Sequence, residues 1–145
     1  MKVNKVNIAS LKESYTKEEL AAAFPDVDPG IKPYGTRVLI QLRSAREKSK
    51  GGIIITSGDQ EVEKWNTQIA KVREIGPVAF MNRDTLEEWP EKAWCKVGTF
   101  VRIPKFNQDR WEVKRADHSV LFMLVKDVDL LGEVTCSPLE VKAFI

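Results

Sequence analysis

The sequence predicts an all-β fold, a small irregular β-barrel interrupted by one long loop and one insert and flanked by extensions at both ends. Three observations predict it. Short runs of β-branched and aromatic residues recur between turn residues, the pattern of short strands in a small barrel or sandwich. Helix signals are confined to the opening segment and to one insert. The 145 residues hold one core of ordinary size and not two.

In chain order, residues 1–30 form an N-terminal extension with a short helix. Thr16 can cap the amide of Glu19, Leu20 to Ala23 are good helix formers, and Pro25 ends the run. Asp26 to Gly30 reads as a linker into the main domain, residues 31–134. Strands are expected at Arg37 to Leu42, Gln68 to Ile75, Thr99 to Pro104, Trp111 to Lys114 and Ser119 to Val125. Gly76-Pro77 and Lys96-Val97-Gly98 bracket the insert, residues 78–95. Within it, Asp84 and Glu87 suggest a capped helical turn that Pro90 would end. Residues 135–145 follow the last strand as a C-terminal tail.

Composition narrows the function. With 23 Lys and Arg against 21 Asp and Glu, the net charge of +2 gives no general field for gathering nucleic acid or acidic lipid. No apolar run approaches the roughly 20 residues of a membrane-spanning helix, so no membrane partner is expected. The first thirty residues lack a secretion signal's apolar stretch and carry too many acids for a transit peptide, which makes a cytoplasmic location the expectation. Cys95 and Cys136 stand apart, and with His118 alone they supply no zinc set, so no metal site is expected. Nucleotide-binding and hydrolase signatures are missing, and His118 reads as part of a polar turn. No catalytic residues are assigned, and the chain is not expected to be an enzyme.

The informative stretch is residues 43–67, long for a structureless connection in a compact domain, where such loops are usually functional or disordered. It opens basic, through Arg43, Arg46, Lys48 and Lys50, and closes acidic, through Asp59, Glu61 and Glu63. Between them lies Gly51-Gly52-Ile53-Ile54-Ile55-Thr56. Periodicity alone leaves open a core strand led in by a turn. The polar flanks favour a mobile loop whose β-prone apolar tip docks in a partner's hydrophobic groove, with the glycines allowing it to change direction.

Gly51-Gly52-Ile53-Ile54-Ile55-Thr56 resembles the GG-I-V-L-T tip of the mobile loop in GroES-type co-chaperonins, the ten-kilodalton chaperonin family. The resemblance extends to Ile31-Lys32-Pro33 with Arg37-Val38, to Val72–Gly76, to Val97-Gly98 followed by Val101, and to Phe122–Val134. Thr99 departs from it, standing where the family's VGD has Asp. The ends, residues 1–30 and 135–145, have no counterpart in short family members. Bacteriophage-encoded members diverge in such regions, which suggests a viral source and, with it, the host cytoplasm.

The resemblance implies a GroES-like barrel and a homo-oligomeric ring, a heptamer, that forms a lid on an ATP-bound GroEL-type chaperonin. Unfolded client proteins would fold in the enclosed chamber. No cofactor is implied for this chain, since ATP is bound and hydrolysed by the partner. Gly51, Gly52, Ile53, Ile54, Ile55 and Thr56 would bind the chaperonin. Lys32, Val38, Leu130, Leu131 and Val134 would lie at the subunit interface, the first strand of one subunit beside the last of its neighbour. The insert would form the roof, with Phe80, Trp89 and Trp94 as packing residues. The rival reading is a small-barrel nucleic-acid binder that stacks bases on Trp65, Phe106 and Trp111 and holds phosphates with Lys105, Arg110, Lys114 and Arg115. It leaves the apolar loop tip unexplained.

Overall fold

The computed structural model describes residues 16–44, 66–104, 110–115 and 118–141. After helix α1 (Lys17–Ala23) come strands β1 (Arg37–Leu42), β2 (Ile69–Ile75), β3 (Phe100–Arg102), β4 (Arg110–Arg115), β5 (His118–Lys126) and β6 (Gly132–Glu133), with a 3₁₀ turn at Asp127–Asp129. They form one antiparallel sheet in the order β4-β5-β1-β2-β3-β6. The all-β expectation holds.

Strand parity assigns the two faces, because successive side chains point to opposite sides. Val38, Ile40 and Leu42 of β1 join Leu121, Met123 and Val125 of β5 and Ala70 and Val72 of β2 in the principal core. Leu39, Val120 and Phe122 point the other way. Pairing slips between Leu39↔Glu74 and Ile40↔Val72, leaving Arg73 as an extra residue in β2. Arg73 keeps the outer-face parity that follows from Val72, with its guanidinium over the Phe122 ring, and the bulge lets Ile75 rejoin the core face.

The insert closes the principal core. Phe80, Trp89 and Trp94 pack on one another and on the sheet, as expected of packing residues. The helical turn expected near Asp84 is a single turn, closed by the Leu86 amide on the Asn82 carbonyl at 2.7 Å, and Asn82 caps it in place of Asp84. Asn82 Oδ1 accepts the amides of Asp84 and Thr85, and Met81 bridges Glu88 across a tight antiparallel hairpin. Asn82, a strong turn former, outcompetes the Asp84 cap. Phe80 sits at φ 62°, a strained conformation for a bulky residue, and its amide is held by the buried Asp127 carboxylate at 2.9 Å. At the turn into β3, Gly98 takes φ 96°, and Thr99 Oγ1 accepts the Lys96 amide, so the hydroxyl does the work of a capping Asp.

The outer face is covered by the N-terminal extension, which is therefore more than a linker. Val27 packs on Leu39, Val120 and Phe122. Gln41 Nε2 donates to Pro25 O at 2.7 Å, Arg73 pairs with Asp26 at 3.0 Å, and Trp111 Nε1 donates to Pro29 O at 3.1 Å. Thr16 caps α1 through the Glu19 amide as expected. Beyond the helix, Phe24 packs against Phe100.

Candidate functional site

The long loop leaves the sheet at the end of β1 and returns at the start of β2, two adjacent strands. Its tip, Gly51, Gly52, Ile53, Ile54, Ile55 and Thr56, lies outside the described residues. Both roots are described, and both are buried. This corrects the expectation that the loop's polar start at Arg43 stays in solvent. Arg43 is 3% exposed, and Thr67 is fully buried at the other end.

Arg43 continues the outer-face parity of Leu39 and Gln41, so its side chain meets the C-terminal tail. Its Nη1 donates to Pro138 O at 2.8 Å and to Val141 O at 2.9 Å, the partners a buried guanidinium needs. Its amide donates to Ile69 O, and the next amide, Ser44, donates to Ala23 O at 2.9 Å. That carbonyl closes α1, whose last carbonyls have no partner within the helix. On the returning side, Gln68 exchanges bonds with Ile103: its Nε2 and its backbone carbonyl meet the Ile103 carbonyl and amide at 3.0 and 2.9 Å. Ala23, Phe24, Ile69 and Leu139 form a second buried cluster around these roots, with Leu20, Phe100, Val134 and Val141 against it.

The residues expected at a subunit interface fall into two groups. Leu130 to Val134 runs along the outermost strand. Leu131 N donates to Arg102 O and Val134 N to Phe100 O, and the Leu131 side chain is 62% exposed. Leu130 is buried in the principal core, while Val134 is half-buried. Lys32 is exposed beside Ile31 and Tyr34, the latter 80% exposed. Val38 is different: it is 0% exposed and hydrogen-bonded strands flank it on both sides, so it serves this chain's own core and has no side chain to offer a neighbour.

The chemistry of the remaining groups is muted. Among the described residues, no group of three or more His, Cys, Asp or Glu is placed to hold a metal. Burial, aided by the Glu133 carboxylate, pushes the Cys95 thiol up to about 11, while Cys136 is exposed. Of the nucleic-acid reading's stacking residues, Trp65 and Phe106 lie outside the described residues. Trp111 stacks on Phe122 and is tied to Pro29, so it packs the outer face and is no open platform.

Sequence reasoning missed the burial of Arg43 against the C-terminal tail and the role of Asp127. The parity of Leu39, Gln41 and Arg43 was a usable signal for the first. The second had none, since Asp127 acts on a residue remote in sequence.

Residues 30–134 match the family described as chaperonin 10 Kd subunit. Among curated relatives, the co-chaperonin GroES of Lactococcus lactis subsp. cremoris (strain SK11) is 33% identical over 104 residues, covering 72% of this chain and 98% of the relative. The co-chaperonin GroES of Clostridium botulinum (strain Eklund 17B / Type B) is 34% identical over 104 residues, covering 72% and 97%. That of Tetragenococcus halophilus is 31% identical over 103 residues, covering 71% and 99%. The chain belongs to the chaperonin 10 Kd subunit family, the GroES-type co-chaperonins.

Proposed function

We propose that this co-chaperonin assembles into a seven-membered ring that caps an ATP-bound GroEL-type chaperonin and encloses unfolded client chains. Ile53, Ile54 and Ile55, set between Gly51-Gly52 and Thr56, are the docking residues. ATP chemistry belongs to the partner, and this chain contributes binding. The observation that carries the reading is the family match across residues 30–134, which spans the loop sequence and both its roots.

Magnitudes fit a multivalent lid. Burying three isoleucines gains about 1.5–3 kcal/mol each. Ordering some ten loop residues costs about 1–2 kcal/mol apiece. Isoleucine burial alone therefore falls short of the ordering cost of a single arm, so capping needs residues fixed before docking together with a ring of arms that engage at high effective concentration after the first contact. Fixed roots reduce the ordering cost further, because Arg43 and Thr67 are already in place.

Assembly uses the exposed edge near Leu131 and the exposed stretch containing Ile31, Lys32 and Tyr34. An unpaired edge strand is an aggregation hazard that a neighbouring subunit removes. The test is to mix the chain with a GroEL-type chaperonin, with and without ATP, and to weigh the particles by native mass spectrometry. A nucleotide-dependent complex carrying a ring of this chain is expected. A strict monomer that never joins the chaperonin would refute the proposal.

A further inference from the structure

We infer that the two terminal segments outside the family match, residues 16–24 and 137–141, act together as a clasp that positions the outgoing root of the docking loop, with Arg43 as its positioning residue. The inference rests on the docking role proposed for residues 51–56.

Three independent contacts converge on two consecutive residues. The Arg43 side chain spans to the tail through Pro138 O and Val141 O, from a site 3% exposed to solvent. The Ser44 amide is taken by the carbonyl that ends α1. Ala23, Leu139 and Ile69 then bury the helix end, the tail and the first residue of β2 in one apolar cluster. The tail is itself shaped for this. Ser137 Oγ accepts the Leu139 amide and Ser137 O the Glu140 amide, a turn that leaves the Pro138 and Val141 carbonyls for the guanidinium.

The carbonyls that receive these hydrogen bonds, of Ala23, Pro138 and Val141, and the apolar Leu139 all lie outside residues 30–134, so the family domain alone supplies only the Ile69 side of this device. Its physical effect is on the unbound loop. Each residue fixed before docking removes part of an arm's ordering cost, an effect of roughly tenfold in affinity. A fixed root also limits the directions in which the loop can leave β1, so the arms of a ring start from equivalent geometry. Both bonds leave the one nitrogen Nη1, so a Lys at position 43 would keep the charge and a multi-proton donor on a shorter side chain and recover part of the contact.

The test compares the parent, Arg43→Met, Arg43→Lys and a chain ending at Ser137, each as the full assembled particle. Hydrogen exchange reports the Ser44 amide and the amides of β1 and β5, and titration with a GroEL-type chaperonin and ATP reports capping. Arg43→Met and the shortened chain should each speed exchange at Ser44 and weaken capping about tenfold or more, while β1 and β5 protection and ring mass match the parent. Arg43→Lys should fall between. Combining Arg43→Met with the truncation should give less than the sum of the two, because either change removes the hydrogen bonds from Arg43 to Pro138 and Val141, while the truncation also takes Leu139 out of the buried cluster.

Unchanged capping by Arg43→Met, with the parent capping normally, overturns the positioning role alone. Capping lost together with β1 and β5 protection shows a structural role and also overturns it. A parent chain that never caps overturns the docking reading itself, and Ser44 exchange in the free protein then reports only whether the clasp holds the root.

Discussion

At the scale of single residues, this fold depends on a few side chains that serve the backbone of distant segments. Asp127 holds the amides of Phe80 and Val128 with its two carboxylate oxygens, at 2.9 and 2.8 Å, and so ties the insert to the end of β5. Asp127→Ala should cost about 1.5–3 kcal/mol, since a charged acceptor is removed and the buried Phe80 amide loses its partner; chemical denaturation measures it. Gly76 is fixed by close approach. A Cβ there would lie 2.7 Å from Arg37 O, against backbone that cannot swing away. Gly76→Ala should therefore destabilise by about 1–3 kcal/mol through strain where β2 meets the Gly35 turn, seen as a lower melting temperature.

The two thiols make a matched pair for chemical labelling. Cys95 has a folded-state pKa of about 11 against an ordinary 9.0, so the unfolded chain gives up its proton first. Its contribution to stability is intact below pH 9 and is lost as pH rises toward 11. Iodoacetamide at pH 8 should modify Cys136 and spare Cys95 until the chain unfolds, which peptide mass mapping reads directly.

At the scale of elements, strand positions were legible because parity and turn residues are local signals. Arg37 to Leu42 was read with its bounds, and β5 within a residue of each end. The Thr16 cap was legible for the same reason. What depended on tertiary contact was not. Asp26 to Gly30 has the composition of a linker, yet Val27 is buried on the sheet and Pro25, Asp26 and Pro29 each receive a side-chain donor from it. Arg43 looked like the first residue of a solvated tether because its charge was weighed without its parity. Val38 was placed at an interface by family analogy, while its position in a six-residue strand flanked on both sides made it core. Trypsin tests the loop assignment at this scale. Its first cuts should fall after Arg46, Lys48 or Lys50, and not after the buried Arg43; adding chaperonin and ATP should suppress them.

At the scale of the whole molecule, the chain combines a family domain with terminal segments that pack on its outer face and around the root of its long loop. The proposed activity belongs to the ring, because single arms gain little and several arms gain jointly. A loss of about 2 kcal/mol per arm multiplies across an assembled ring, so a change at one tip position should give a near-complete defect. Ile54→Asp puts a charge at the centre of the apolar tip and, on this account, touches nothing in the core of the sheet. The decisive measurement is native mass spectrometry of parent and Ile54→Asp mixed with a GroEL-type chaperonin and ATP, paired with the melting temperature of each. The account predicts a capped complex for the parent, none for Ile54→Asp, and equal melting temperatures. Normal capping by Ile54→Asp, or a variant that melts far below the parent, would contradict it.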